Sequence, residues 1–107
     1  MKTQPVLIRI FGNTPRFRVL DFVLTEMIYY DYTLTEIAKH TDVSWGTINT
    51  IWKNLKKLDM VRETRQVGNA KLYAANKDSP YLKTLKAMML KMSCTEDIEE
   101  PIVREAQ

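Results

Sequence analysis

The sequence predicts a mainly α chain with one small β-hairpin, an α+β fold in a single compact unit. Three observations predict it. Residues 33–58 carry two short amphipathic stretches separated by a tight turn. Residues 61–75 switch to strand-like composition around Gly68 and Asn69, and residues 80–92 return to helical spacing. A chain of 107 residues suits one domain, and a hydrophobic fraction of 45% is enough for a real core.

The elements follow in order. Val6–Phe11 (VLIRIF) is an apolar, β-branched run halted by Gly12 and Asn13, which reads as a short N-terminal strand. Thr14 is placed to cap a helix, and Pro15 suits its first position, where a missing N–H costs nothing. That helix is expected to reach about Tyr29, with Phe17, Leu20, Val23, Leu24, Met27 and Ile28 on one broad face. Phe22 and Tyr29 fall on another side, so the helix should touch two surfaces. Thr33 and Glu36 form a capping box opening a short helix that ends near His40 and Thr41. The turn position often filled by glycine is Asp42, a residue that tolerates left-handed geometry. Ser44 then caps a helix to about Leu58. Residues 61–66 and 71–75 read as two strands of a hairpin. Ser79 and Pro80 repeat the cap-then-proline signal and open a last helix to about Met92. Its apolar face holds Tyr81, Leu82, Leu85, Met88, Met89 and Met92.

Ile37, Ala38, Val43, Ile48, Ile51 and Leu55 are the small and apolar residues needed to lock two helices across a turn. That is the pattern of a helix-turn-helix, a motif that places its second helix in the major groove of DNA. A basic hairpin directly after it reads as a wing. The stretches FGNTPRFRVLDFVL and LTEIAKHTDVSWGTINTIWKNLKKLDMVRETRQVGNAKLY resemble small archaeal winged helix-turn-helix regulators allied to the MarR and ArsR-like superfamilies. The likeness covers roughly residues 10–76 and is carried by Val43-Ser44-Trp45-Gly46-Thr47-Ile48 together with the wing pattern VRETRQVGNAKLY. It implies a homodimeric transcription factor acting on short inverted repeats of double-stranded DNA. The division that follows is an arm with the strand at 1–13 and a winged helix-turn-helix at 14–76. A dimerisation helix at 77–94 and an acidic, loosely ordered tail at 95–107 complete it.

Charge agrees with a polyanionic partner. Residues 1–94 hold 15 Lys/Arg against 8 Asp/Glu, a balance of +7, whereas residues 95–107 carry −4. The acidic run Glu96, Asp97, Glu99 and Glu100 reads as a solvated tail, with metal binding or competition with DNA as alternatives.

At 100° per residue, Ile48, Ile51, Trp52, Leu55 and Leu58 fall on the core side of the helix after Ser44. Gly46, Asn49, Thr50, Lys53 and Lys57 lie opposite, with Trp45 and Lys56 at one margin. Asn49 suits adenine, Thr50 a base or a thymine methyl, and Lys53 guanine or phosphate; Gly46 lets the backbone approach closely. The same face also fits an ordinary solvated helix. Ser44 and Thr47 complete the first turn of this surface. Trp45 either meets the nucleic acid or packs over Trp52. Arg62, Arg65, Asn69 and Lys71 are the wing's candidates for backbone or minor-groove contact. Arg16 and Arg18 either add contacts or are plain solvated charges.

His40 and Cys94 are each alone of their type, so neither a metal cluster nor an intrachain disulfide is expected. No cofactor and no enzyme activity are expected, since no phosphate loop, triad or acid pair stands at convincing spacing. No apolar run approaches a membrane span and no signal peptide pattern opens the chain, which predicts a cytoplasmic, nucleoid-associated protein. Phe22, Tyr29, Tyr81, Leu82, Leu85, Met88, Met89 and Met92 are the candidates for a dimer interface, with Val6–Phe11 as a possible intersubunit strand. The alternative is that they close the core of one chain. Two other functions stay open: a plasmid or viral partition or replication protein, and a protein-interaction module without specific DNA binding. A small-molecule effector is open too, and no ligand is specified.

Overall fold

The computed structural model describes the backbone of residues 5–105 and the side chains of residues 5–94. Its elements are α1 (Val6–Phe11), α2 (Pro15–Thr25), β1 (Tyr32–Thr33), α3 (Leu34–Thr41), α4 (Trp45–Lys57), β2 (Val61–Val67), β3 (Ala70–Ala75) and α5 (Pro80–Glu105). The three strands form one antiparallel sheet in the order β1-β3-β2. This is an α+β winged helix-turn-helix with an added C-terminal helix.

One core holds it together. Val19, Val23 and Leu24 from α2 meet Ile37 of α3, Ile48, Ile51, Trp52 and Leu55 of α4, and Leu82 and Met89 of α5. Burial of this size stabilises by roughly 1.5–3 kcal/mol per large side chain. The helix starts are those the sequence encodes. Thr14 Oγ1 accepts from the Phe17 N–H, Thr33 and Glu36 form a reciprocal capping box, and Ser44 Oγ accepts from the Thr47 N–H. Asp42 adopts the left-handed conformation (φ 57°, ψ 50°) that turns the chain between α3 and α4.

The N-terminal run is a correction. Val6–Phe11 is a helix, not a strand, so it offers no intersubunit strand. A lone strand needs a partner for its N–H and C=O groups, whereas a helix satisfies its own. Docking against the domain buries Val6, Leu7 and Ile8 and leaves Ile10 and Phe11 exposed, with Phe11 stacked on Phe17. The two-residue strand β1 adds to the expected hairpin, pairing Tyr32 with Tyr73 and Thr33 with Leu72. It is too short to show any alternation.

Boundaries also moved. Helix α2 stops at Thr25 rather than Tyr29, because the Met27 carbonyl is drawn away to accept from the Ala75 N–H of β3 at 3.0 Å. Leu58, expected in the core, is 38% exposed. Asp59 takes a left-handed φ of 58°, and Met60 and Val61 fill the core instead. Helix α5 continues in the backbone to Glu105, past the expected end at Met92. The acidic run assigned to the tail lies outside the residues whose side chains are described.

Three of the residues assigned to a dimer interface are used within the chain. Leu82 (3% exposed) and Met89 (6%) belong to the core, because the face of α5 that carries them closes over α2. Phe22 packs on Tyr32 and His40, with ring centroids 4.9 and 5.2 Å away. Tyr29 and Tyr81 are exposed, and Leu85, Met88 and Met92 are half-buried at the edge of the core. Among the described residues no helix is long and apolar enough to cross a membrane.

Candidate nucleic-acid interface

Helix α4 is anchored by one side only. Ile48, Ile51, Trp52 and Leu55 are buried at i, i+3, i+4 and i+7, and the opposite side is open. Ser44, Trp45, Gly46, Thr47, Thr50, Lys53 and Lys57 are all exposed, and Asn49 is half-buried. The structure thus brings the eight helix candidates together on one surface. Two of them are tied to the helix itself. Asn49 Nδ2 donates to the Trp45 carbonyl at 2.8 Å and Thr50 Oγ1 donates to the Gly46 carbonyl at 3.2 Å. These bonds hold both side chains against the helix and leave the Asn49 oxygen and the Thr50 methyl for a partner.

Trp45 is 57% exposed and makes no ring contact with Trp52. Trp52 instead lies buried with its ring edge-on to Tyr73 at 5.5 Å, and Lys56 Nζ stands 5.9 Å above the same tyrosine. The two readings of Trp45 are thereby separated: its indole is not packed over Trp52. A Cβ built on Gly46 would meet nothing within 4 Å, so no neighbour within the chain requires glycine there.

The wing is a tight hairpin. Val67 pairs with Ala70, leaving Gly68 and Asn69 as the two-residue turn. Gly68 takes φ 61°, a conformation that a side chain at the first turn position would strain. Asn69 and Lys71 stand exposed at this tip. Arg62 stands at the other end of β2, lining a shallow pocket with Tyr29, Tyr30 and Lys77. Arg65 is not a free cation. Its guanidinium grips both oxygens of Asp31, with Nε–Oδ2 2.9 Å and a second N–H···O bond of 3.2 Å to Oδ1. The wing candidate Arg65 is thus already paired, with a carboxylate from a loop 34 residues away.

Arg18 is likewise structural. Its Nε donates to the Thr41 carbonyl at 2.7 Å, one terminal nitrogen to the Asp42 carbonyl at 3.0 Å and the other to Asn13 Oδ1 at 3.0 Å. It clamps the open C-terminal end of α3, where carbonyl groups lack helical partners. Neither role has a local signal, since each pair joins distant segments. Among the described residues no group of three or more His, Cys, Asp or Glu is placed to hold a metal ion.

The bonds from Arg65 and from the Thr64 hydroxyl hold the Asp31 carboxyl down at about 2. A folded value below that of the unfolded chain adds stability above the ordinary carboxylate range. That contribution should vanish as pH falls through about 2. A carboxyl-carbon titration of the folded protein should find Asp31 near that value, and Asp31 titrating in the ordinary range would exclude the clasp in solution.

No protein-family model matches the chain, and no curated protein matches it. Solved structures do. The wild-type ZitR of Lactococcus lactis, in complex with DNA, superposes with a TM-score of 0.55 at 12% identity, covering 77% of this chain and 57% of that one. Sso10a-2, a DNA-binding protein from Sulfolobus solfataricus, gives 0.54 at 12% identity over 83% of this chain and 92% of that one. The adhesin competence repressor of Streptococcus pyogenes gives 0.56 at 15%, covering 81% and 65%. The chain thus spans little more than half of the ZitR chain. At these identities the likeness is one of architecture: the chain shares the winged helix-turn-helix fold of these three proteins.

Proposed function

We propose that the protein is a sequence-specific, double-stranded DNA-binding transcription regulator. It acts as a homodimer in the cytoplasm, bound to the nucleoid, with α4 in the major groove and the wing tip on the backbone or minor groove. The observation that carries the reading is the one-sided anchoring of α4, which presents Gly46, Thr50, Lys53 and Lys57 in one exposed row. Small, hydroxyl and ammonium groups in that order suit a groove floor flanked by phosphates. The open space at Gly46 supports it, since only an outside partner would feel a Cβ there. The basic balance of residues 1–94 points the same way. The solved neighbours, two of them described as bound to DNA or DNA-binding, add support at the level of fold. Placement among archaeal regulators allied to MarR and ArsR rests on the sequence likeness over residues 10–76.

Selection of bound sequences from random duplexes, followed by titration across salt, tests this. Lys53→Ala and Lys57→Ala should each flatten the log–log salt slope by about 0.9. Asn49→Ala should cost about 1–3 kcal/mol on the preferred site and much less on random DNA. Equal losses on both would leave Asn49 as a positioning residue. A protein without preference among duplexes at low salt would favour the interaction-module reading instead.

Dimerisation is supported by apolar surface left open along α5. Tyr81 is 55% exposed, and a groove of about 720 Å³ beside it is lined by Leu20, Leu55, Leu58, Met60 and Leu85. An exposed aromatic ring beside an apolar groove marks a contact surface. Sedimentation should give a dimer at micromolar protein, and Tyr81→Glu should shift it to monomer; a wild-type monomer would count against an obligate dimer.

A further inference from the structure

The Asp31–Arg65 pair does more than tie a loop to a strand. Asp31 immediately precedes β1, whereas Arg65 lies in β2, and β3 runs between them. The pair therefore spans the whole sheet. It closes at the one irregularity of the wing, where the register slips between Glu63 and Arg65 and leaves Thr64 as the extra residue. The Thr64 hydroxyl also donates to Asp31 Oδ2, at 2.7 Å. One carboxylate thus holds the extra residue and the one after it. Leu72, opposite Arg65 in β3, is buried at 8% without belonging to the main core.

We propose that Asp31 sets the specificity of the DNA-binding face by fixing the wing through Thr64 and Arg65 and by neutralising the Arg65 charge. The proposal rests on the DNA-binding reading above. A free arginine on a wing adds affinity for any phosphate and carries no sequence information. A fork-to-fork pair with a carboxylate removes that indiscriminate contact, because guanidinium and carboxylate match in shape as well as charge. Ionic contact is then left to the other cations of this face, Lys53 and Lys57 on α4 and Arg62 and Lys71 on the wing among them. Asp31 is a positioning residue, acting through Arg65 and Thr64 rather than touching DNA.

Three variants test it on a random-sequence duplex and on the preferred site: Asp31→Asn, Arg65→Ala and the two combined. Arg65→Ala alone should leave the salt slope of the wild type unchanged, since its charge is already matched. Asp31→Asn should steepen the slope by about 0.9, tighten random binding more than specific binding and so lower the ratio between them. The double variant should return the slope to that of the wild type. A slope flattened by Arg65→Ala alone would overturn the proposal, as would an unchanged slope in Asp31→Asn. A second arm needs no DNA. Hydrogen exchange at the amides of residues 62–72 should quicken in Asp31→Asn and not in Asp78→Asn, an exposed carboxylate elsewhere. Unchanged exchange defeats the clasp itself, whereas a wild type that binds no duplex defeats the reading beneath it.

Discussion

Trp52→Ala should destabilise the fold by about 3–5 kcal/mol, the range for emptying a buried aromatic site. Trp52 is 2% exposed at the centre of α4, where it meets the wing through Tyr73. For a chain of this size each kcal/mol lowers the melting midpoint by roughly 4–8 °C, so the variant should melt at least about 12 °C below the wild type. Trp52→Phe separates shape from polarity. The buried indole N–H has no hydrogen-bond partner among the described residues. An unpaired buried donor costs about 1–3 kcal/mol, so deleting it should offset much of the smaller cavity. Phenylalanine should therefore cost less than about 2 kcal/mol, measured by denaturant and thermal melts. A loss equal to that of alanine would mean that the indole is bonded in solution. DNA binding by the phenylalanine variant should stay close to wild type, since the outward face of α4 is untouched.

Arg18→Met should cost about 2–3 kcal/mol, seen as a lower denaturant midpoint with an unchanged slope. Methionine keeps much of the apolar stem and loses the three bonds to Thr41, Asp42 and Asn13. Arg18→Lys should not rescue it, because an ammonium lacks the planar fork that reaches two carbonyl oxygens and an amide at once. Binding to DNA should weaken as well. Thr41 and Asp42 form the turn that sets the angle between α3 and α4, and freeing that turn loosens the helix meant for the groove. Arg16→Met is the control. Arg16 is exposed on the same helix, and its replacement should change stability by no more than about 0.5 kcal/mol. Equal effects of the two substitutions would remove the clamp from the account.

Much of the architecture was legible residue by residue where the signal is local. Caps at Thr14, Thr33 and Ser44 satisfy N–H groups three residues on, and the left-handed turn at Asp42 depends on that residue's own tolerance. The wing turn needs Gly68 itself at positive φ. The row on α4 followed from 3.6-residue periodicity, which the core enforces with Ile48, Ile51, Trp52 and Leu55. Lone segments were another matter. VLIRIF has strand-like composition, and only the available partner decides its state. Val6–Phe11 joins no strand of the β1-β3-β2 sheet; it coils on itself and buries Val6, Leu7 and Ile8.

The charged groups divide along the same line. Which residues carry charge, and which side of α4 they occupy, is written in the chain, because helix geometry maps spacing directly onto faces. Which charges remain free is decided in three dimensions. Arg18 and Arg65 look like Lys53 and Lys71 in a sequence, yet folding places carbonyls before the first and Asp31 before the second. Pairing energy falls off over a few ångströms, and only the assembled fold sets those distances for residues 23 and 34 positions apart.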